Sequence, residues 1–403
     1  MENNYSKMPQ HPEARAAKRI DVTNRLAEGT RFVYRDAGKG TEEERALFRE
    51  AFRIQPCPPT ERQIFFGEMH GHSVLSDGSA DPDEYFRALA KRVDFCALTD
   101  HDHGGVDRDT LYTEKWDRIR ELTAAHYRPG SFTTLLGVER DSYPWYDNMV
   151  IYFSTHTADL PIGAVRGETT AGELAGWLQS PEMFLAPHDT VNRTCTTDFT
   201  GRPPELMPHG FEIYSRGDCA EYFDHPLNVY SCIRGGSLQE ALAASAHPAV
   251  YAGSDDHGGT NALDLPELGF PRRYPGLTGV WAKENTLEGI FEALKRRHTY
   301  AFMGPERIYI DFRINGQLMG SRITEEADAP RRIVYYSVRS EVPVKKITVV
   351  KNNEDYFVAR LEGNPVSDFV DYRRQREEDW YYLRVELEDG RMAWTSPIWV
   401  KGI

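Results

Sequence analysis

No apolar run in the 403-residue chain approaches the ~18 residues that a membrane-spanning helix needs. The opening stretch MENNYSKMPQHPEARAAKR has no apolar segment, so no secretory signal is expected. Cysteine is scarce. The five (Cys57, Cys96, Cys195, Cys219, Cys232) are odd in number, irregularly spaced and without a CxxC pair. That pattern argues against a disulfide framework and a thiolate metal site, and it points to reduced thiols and a cytoplasmic location. Positive charge is in deficit: 48 Lys and Arg face 62 Asp and Glu, for a net charge of −14. Neither nucleic acid nor an anionic membrane is therefore an expected partner. A small anionic substrate is still compatible, because a local cation can overrule the global field. The chain also lacks internal repeats and low-complexity tracts. With 40% hydrophobic and 27% charged residues it has enough apolar material for full-sized cores. Its length fits two or three domains.

Three textures follow one another along the chain. Residues 1–60 are polar and charged, with one amphipathic helix expected in TEEERALFREAFRI (41–54), and read as an N-terminal extension packed on the next domain. Over 61–305, short apolar runs (Ile64–Phe66, Phe95–Leu98, Leu135–Val138, Met149–Phe153, Phe184–Ala186, Phe211–Tyr214, Val250–Ala252) alternate with segments of helical spacing such as DPDEYFRALAKR. Strand and helix in alternation predict an α/β unit with a parallel sheet, open or closed into a barrel. From 306 onward, runs such as Tyr309–Ile314, Arg332–Val338, Lys346–Lys351, Tyr356–Leu361, Trp380–Glu388 and Ala393–Val400 alternate apolar and polar residues. Turn signals at Asn315-Gly316 and Asp389-Gly390 complete the pattern of a small antiparallel β-sandwich-like domain over 306–403.

The chemistry-bearing residues cluster at predicted strand ends. Glu68-Met69-His70-Gly71-His72 follows the first strand and Thr99-Asp100-His101-Asp102-His103 the second. Glu139 ends the third, His188 follows a later one, Glu212 lies in GFEIYS, and Ser254-Asp255-Asp256-His257 follows the last. In a β/α barrel, strand C-terminal ends share one face. His70, His72, Asp77, His101, Glu139, His188, Glu212, Asp255 and His257 would then converge as metal ligands, too many for one tetrahedral ion and enough for two or three. Imidazole and carboxylate donors without competing thiolates suit Mn, Zn or Fe. Asp100, Asp102, His103 and Asp256 read as acceptors that orient ligating histidines.

The stretch GEMHGHSVLSDGSADPDEYFRALAKRVDFCALTDHD (67–102) resembles the opening of the PHP (polymerase and histidinol phosphatase) superfamily. GVE (137–139), APHD (186–189) and SDDH (254–257) follow in that family's order. Residues 254–320 further resemble a longer branch of it with a β-rich tail. The resemblance implies a distorted (β/α)7 barrel holding up to three ions. His70, His72, Glu139 and Asp255 would hold the first. Glu139 would bridge to a second, shared with His188 and Glu212, and Asp77, His101 and His257 would hold a third. The chain departs from the family at two places. The acid before the HxH motif, usually Asp, is Glu68. Where many members carry a further His, this chain reads YPWYDNMVIYF (143–153), which leaves Asn148 as a weak ligand or a substrate contact.

These readings make the expected function that of a metal-dependent hydrolase. The favoured form is a phosphoesterase that releases phosphate from a small organic phosphate by attack of metal-activated hydroxide. Glu139 would act at the ions. His101 or His257 would protonate the leaving oxygen where not ligated. Arg140, Arg193 and Arg216, each close in sequence to a proposed ligand, are candidate phosphate contacts with Asn148. Hydrolysis of an amide, lactone or phosphonate-type bond, and a non-catalytic ligand-binding barrel, stay open at this point. So do the two roles of the β domain, covering the barrel's flank or forming a homo-oligomer interface.

Overall fold

In the computed structural model the described residues are 61–102, 114–142, 146–160, 169–192, 197–215, 219–228, 232–258, 274–326, 331–360 and 365–403. The expected helix at 41–54 and the rest of the N-terminal extension lie outside them. The described residues form two compact units, Glu61–Pro305 and Glu306–Ile403. None of their helices is long and apolar enough to cross a membrane.

In the first unit the elements are β1 (Gln63–Glu68), α1 (Pro82–Leu89), β2 (Phe95–Leu98), α2 (Trp116–His126), β3 (Thr133–Ser142), β4 (Tyr146–Phe153), α3 (Ala171–Gln179), β5 (Met183–His188), β6 (Gly210–Tyr214), α4 (Leu238–Ala243), β7 (Ala249–Ala252), β8 (Gly276–Ala282), α5 (Leu287–Lys295) and β9 (Thr299–Met303). Local chemistry marks the helix starts. Asp81 caps α1, accepting from the Asp83 N–H, with Pro82 in the first turn. Thr170 with Glu173 and Ser237 with Glu240 form reciprocal capping boxes at α3 and α4.

The sheet runs β9-β8-β1-β2-β3-β4-β5, and β6 pairs with β7 separately. The β1–β2, β2–β3 and β6–β7 pairs are parallel. The β1–β8, β8–β9, β3–β4 and β4–β5 pairs are antiparallel. The expected α/β architecture is present, but the expected run of parallel strands is not: the sheet is mixed, and the described strands show no closed ladder. The physical reason is connection length. Only residues 143–145 separate β3 from β4, whereas a parallel crossover needs about a dozen or more residues.

Threonine hydroxyls work where the backbone ladder stops. Thr278 Oγ1 on β8 donates to the Ala252 carbonyl of β7 at 2.7 Å and accepts from the Ala252 N–H at 3.0 Å. Thr299 Oγ1 on β9 donates to the Val250 carbonyl at 2.8 Å. The apolar core packs α5 (Leu287, Ile290, Phe291, Leu294) with sheet residues including Phe95, Leu135, Tyr152, Phe184, Tyr251 and Val280.

The second unit holds β10 (Tyr309–Ile314), β11 (Gln317–Leu318), β12 (Arg322–Glu325), β13 (Arg332–Arg339), β14 (Val344–Lys351), β15 (Glu354–Arg360), β16 (Val366–Asp371), β17 (Glu378–Leu387), β18 (Met392–Thr395) and β19 (Ile398–Gly402). One sheet runs β11-β10-β13-β16. In the other, β14 pairs with β15 and β17, and β17 also pairs with β18 and β19. All these pairs are antiparallel, and β12 joins β19 in parallel. The single run expected over 393–400 is two strands, interrupted at Ser396-Pro397, as a proline without an N–H requires. Asn315 (φ 51°) and Gly316 (φ 78°) make the tight turn between β10 and β11.

Candidate metal centre

The ends of β1, β2, β5 and β7 deliver donors, together with Glu139, which lies within β3 and does not end it as expected, and Glu212 within β6. Beyond β1 the chain stays extended. The His72 N–H donates to the Asp256 carbonyl at 2.8 Å, and the Asp255 N–H donates to the His70 carbonyl at 2.9 Å. His70 and His72, two residues apart, therefore face the same way. The Asp102 N–H donates to the Glu139 carbonyl at 2.9 Å, and His101 bridges Glu139 in the parallel sense, which brings the ends of β2 and β3 together.

Three donor groups result. In the first, His70, His72, Glu139 and Asp255 offer atoms all within 4.8 Å of one another. Glu139 Oε2 is 3.1 Å from His70 Nε2 and 3.2 Å from His72 Nε2, and Asp255 Oδ1 is 3.0 Å from His72 Nε2. The second joins His72, Asp77, His101 and His257. There Asp77 reaches His257 Nε2 at 3.2 Å and His101 Nε2 at 3.7 Å. The third is His70, His188 and Glu212.

The electrostatics are those of a cluster balancing its own charge. Burial disfavours the imidazolium of His70, but Glu212, Glu139 and Asp255 together outweigh it and hold its pKa well above the ordinary value. Against the same burial, hydrogen bonds donated to Asp255 and Glu139 hold His72 at about 9. His188 is raised as well, by Asp189 and Glu212 against burial. Despite their own burial, Glu139, Glu212 and Asp255 are held below the usual carboxylate range by these histidines.

The donor set fits a divalent cation. Two imidazole nitrogens, His70 Nε2 and His72 Nε2, stand only 3.2 Å apart and face two carboxylates. Glu139 Oε1 is buried with no hydrogen-bond partner. A cation at this point would replace shared protons and satisfy that oxygen, and N2O2 donors suit Zn, Mn or Fe.

Neighbouring carboxylates do other work. Asp100 was expected to orient a ligating histidine. It instead accepts from the Ser73 N–H, the Ser73 hydroxyl and the Ser76 hydroxyl at 2.7, 2.7 and 2.6 Å, bracing the loop that carries Asp77. Asp102 pairs with Arg140 at 2.5 Å. Asp256 accepts from the Gly258 N–H. The acceptor that orients His257 is the Asp255 carbonyl, 2.9 Å from Nδ1. His103 lies outside the described residues. Glu68 accepts from the His70 and Ser254 N–H groups, both at 2.8 Å, and burial pushes its pKa up to about 8.

The substrate contacts come out unevenly. Arg140 is corrected: it follows Glu139 on β3, so it faces away from the donors. It is 1% exposed, paired with Asp102 and stacked 5.5 Å from the Trp177 ring. Arg193 and Arg216 lie outside the described residues. Asn148 on β4 stands opposite His188 on β5 and is partly exposed beside the cluster. Sequence reasoning missed Asp189. It sits in the left-handed region (φ 48°) at the end of β5, with a buried Oδ1 that makes no hydrogen bond and lies 3.4 Å from His188 Nε2. The only sequence signal for it was its place beside His188.

Comparison with known proteins adds the following. Residues 266–343 match a family described as protein of unknown function DUF3604. None of the donor residues lies inside that stretch. An uncharacterized protein of Chlamydia pneumoniae is 25% identical over 367 residues, covering 84% of this chain and 57% of its own length. One of Chlamydia trachomatis is 27% identical over 396 residues, covering 87% and 60%. The chain thus spans at most three-fifths of the length of these curated relatives. A solved two-domain structure from Bacteroides vulgatus, titled as containing a predicted PHP-like metal-dependent phosphoesterase, aligns with a TM-score of 0.43 and 16% identity. That alignment covers 85% of this chain and 97% of the other.

Proposed function

We propose that the unit Glu61–Pro305 is a divalent-metal-dependent hydrolase, and that it works as a phosphoesterase on a small organic phosphate. The observation that carries the metal reading is the buried convergence of His70, His72, Glu139 and Asp255, with Glu139 Oε1 lacking any hydrogen-bond partner. The choice of a phosphoester is supported by the order of the motifs, from GEMHGH to SDDH, which resembles the PHP pattern.

His70, His72, Glu139 and Asp255 would hold one cation, and Asp77, His101 and His257 a second. Bound there, divalent cations supply Lewis acidity and offset the charge that grows on phosphoryl oxygens. Glu139 faces both groups, 3.1 Å from His70 and 3.4 Å from His101. The side chains of His101 and His257 are 16% and 24% exposed, more open than His70, His72 and His188. They are the groups placed to hand a proton to the leaving oxygen where not ligated. Asn148, opposite His188 on the neighbouring strand, would hold a substrate oxygen.

The test is phosphate release from a panel of phosphomonoesters and diesters, with protein stripped of metal and reloaded with Mn, Zn or Fe. Release is expected to require metal. His70→Ala and Asp255→Ala should abolish it while far-UV circular dichroism stays native. Full turnover in either variant would remove the site assignment. A metal-loaded protein that cleaves only amides, lactones or phosphonates would move the reaction to another bond. A protein that binds no metal would be a non-catalytic barrel.

A further inference from the structure

Glu212 lies within β6, beneath the strand ends, and is 3% exposed. Both of its oxygens are engaged. Oε2 is 2.7 Å from His188 Nδ1 and 3.1 Å from His70 Nδ1, and Oε1 is 3.2 Å from His70 Nδ1. The opposite ring nitrogens look the other way. His70 Nε2 faces Glu139 and His72, while His188 Nε2 faces Asp189 at 3.4 Å and Asp255 at 3.7 Å. Space below is closed as well. A Cβ at Gly253 would fall 2.3 Å from His70 Cβ and 2.7 Å from Glu212 Oε1, so only glycine lets this carboxylate and this ring meet.

The donor groups overlap at His70, and the overlap is decided by imidazole chemistry. A neutral imidazole offers one lone pair to a cation and keeps a proton on its other nitrogen. Ligation at Nε2 and Nδ1 together would demand an imidazolate. The group around Nε2 has four donors and the orphaned Glu139 oxygen, whereas the group around Nδ1 has three donors that already satisfy one another. Nε2 therefore takes the cation and Nδ1 keeps the proton.

We infer that Glu212 is a positioning residue and not a ligand: one carboxylate accepts the Nδ1–H of both His70 and His188, turning His70 Nε2 toward the cation held with Glu139 and His188 Nε2 toward Asp189 and Asp255. The same rule removes His72 from the Asp77 group, because its Nε2 already faces Glu139 and Asp255. This assignment rests on the metal-dependent reading above. It also separates from it, because a ligand and an orienting acceptor leave different marks when removed.

The experiment uses the full chain loaded with zinc alone. Bound zinc is counted at saturation in wild type and Glu212→Gln, affinity is measured by chelator competition, and histidine tautomers are read from long-range proton–nitrogen spectra. Glu212→Gln should hold as many ions as wild type, with about 10–100-fold weaker affinity, the usual cost of losing such an acceptor. The wild-type spectrum should show His70 and His188 protonated at Nδ1, with zinc on Nε2 of His70. Loss of one whole ion in Glu212→Gln, or zinc on Nδ1 of His70 in wild type, would overturn the assignment while leaving the metal reading intact. Wild type without bound zinc would overturn both. The wild-type spectrum decides the matter even if the variant fails to fold.

Discussion

His72 shows what a single residue contributes before any cation arrives. Burial works against its charge, but hydrogen bonds to Asp255 and Glu139 hold its pKa at about 9. The folded value lies above the ordinary ~6.5. The stability it adds is therefore fully present below pH ~6.5 and is lost as pH rises through about 9. His70 and His188 are shifted the same way. The melting temperature of chelator-treated protein should fall between pH 6.5 and 9, while the zinc-loaded protein keeps or gains stability there. Scanning fluorimetry at pH 6, 7.5 and 9 checks this, and a flat profile without metal would mean the carboxylates hold no protons on these rings. At this scale the histidines were legible because they stand in short motifs after apolar runs. The place of Arg140 was not legible: it reads as a phosphate contact in the sequence, whereas its alternation with Glu139 along β3 turns it to Asp102. The left-handed Asp189 and the underside position of Glu212 were not, because both depend on how β5, β6 and β7 sit against β1.

Between elements, hydroxyls replace ladder bonds. Thr278 Oγ1 serves both the N–H and the carbonyl of Ala252. Thr278→Val keeps the shape and strands both groups, each worth roughly 1–3 kcal/mol when buried without a partner. Urea denaturation of the full chain should show a loss of about 2–6 kcal/mol, with Thr278→Ser recovering much of it; an unchanged midpoint would mean that β7 finds other partners. The first seven strands of this unit were legible from their apolar runs, whereas β8 and β9 stood outside those runs. Strand directions were not legible. The turn at 143–145 is too short for a crossover, so β3 and β4 pair antiparallel, and the next strand after β7, β8 (Gly276–Ala282), pairs with β1 in the opposite sense.

At the scale of the molecule, each unit has its own way of burying charge. In the second unit, Lys351 on β14 donates to Asp371 on β16 at 2.8 Å, and Arg332 on β13 pairs with Asp379 on β17 at 2.5 Å. Tyr381 donates to Asp371 at 2.7 Å. All five are almost fully buried, and the bonds tie one sheet of the sandwich to the other. Lys351→Met leaves Asp371 and Asp379 short of a cation in a dry interior, and removal of one partner from such a pair costs about 3–5 kcal/mol. Chemical denaturation followed by tryptophan fluorescence should show that loss, and a neutral result would mean the lysine's own desolvation cost cancels its attraction. The alternating runs of this unit announced antiparallel strands, but nothing in the pattern marked Lys351 or Arg332 as interior. Their interior place depends on which sheet faces which.

The sequence by itself determined which residue types are present, where apolar runs begin and end, and that histidines and carboxylates gather just after those runs. These are local properties, set by side-chain chemistry and by periods of 2 and 3.6 residues. Tertiary structure decided the rest: strand direction, the pairing of Arg140 with Asp102, and the gathering of His70, His188 and Glu212 from three separate strands. It also decided which nitrogen of each imidazole faces which carboxylate. Those outcomes depend on contacts between separate segments, from 38 residues apart for Asp102 and Arg140 to 142 for His70 and Glu212, and no local pattern encodes their register.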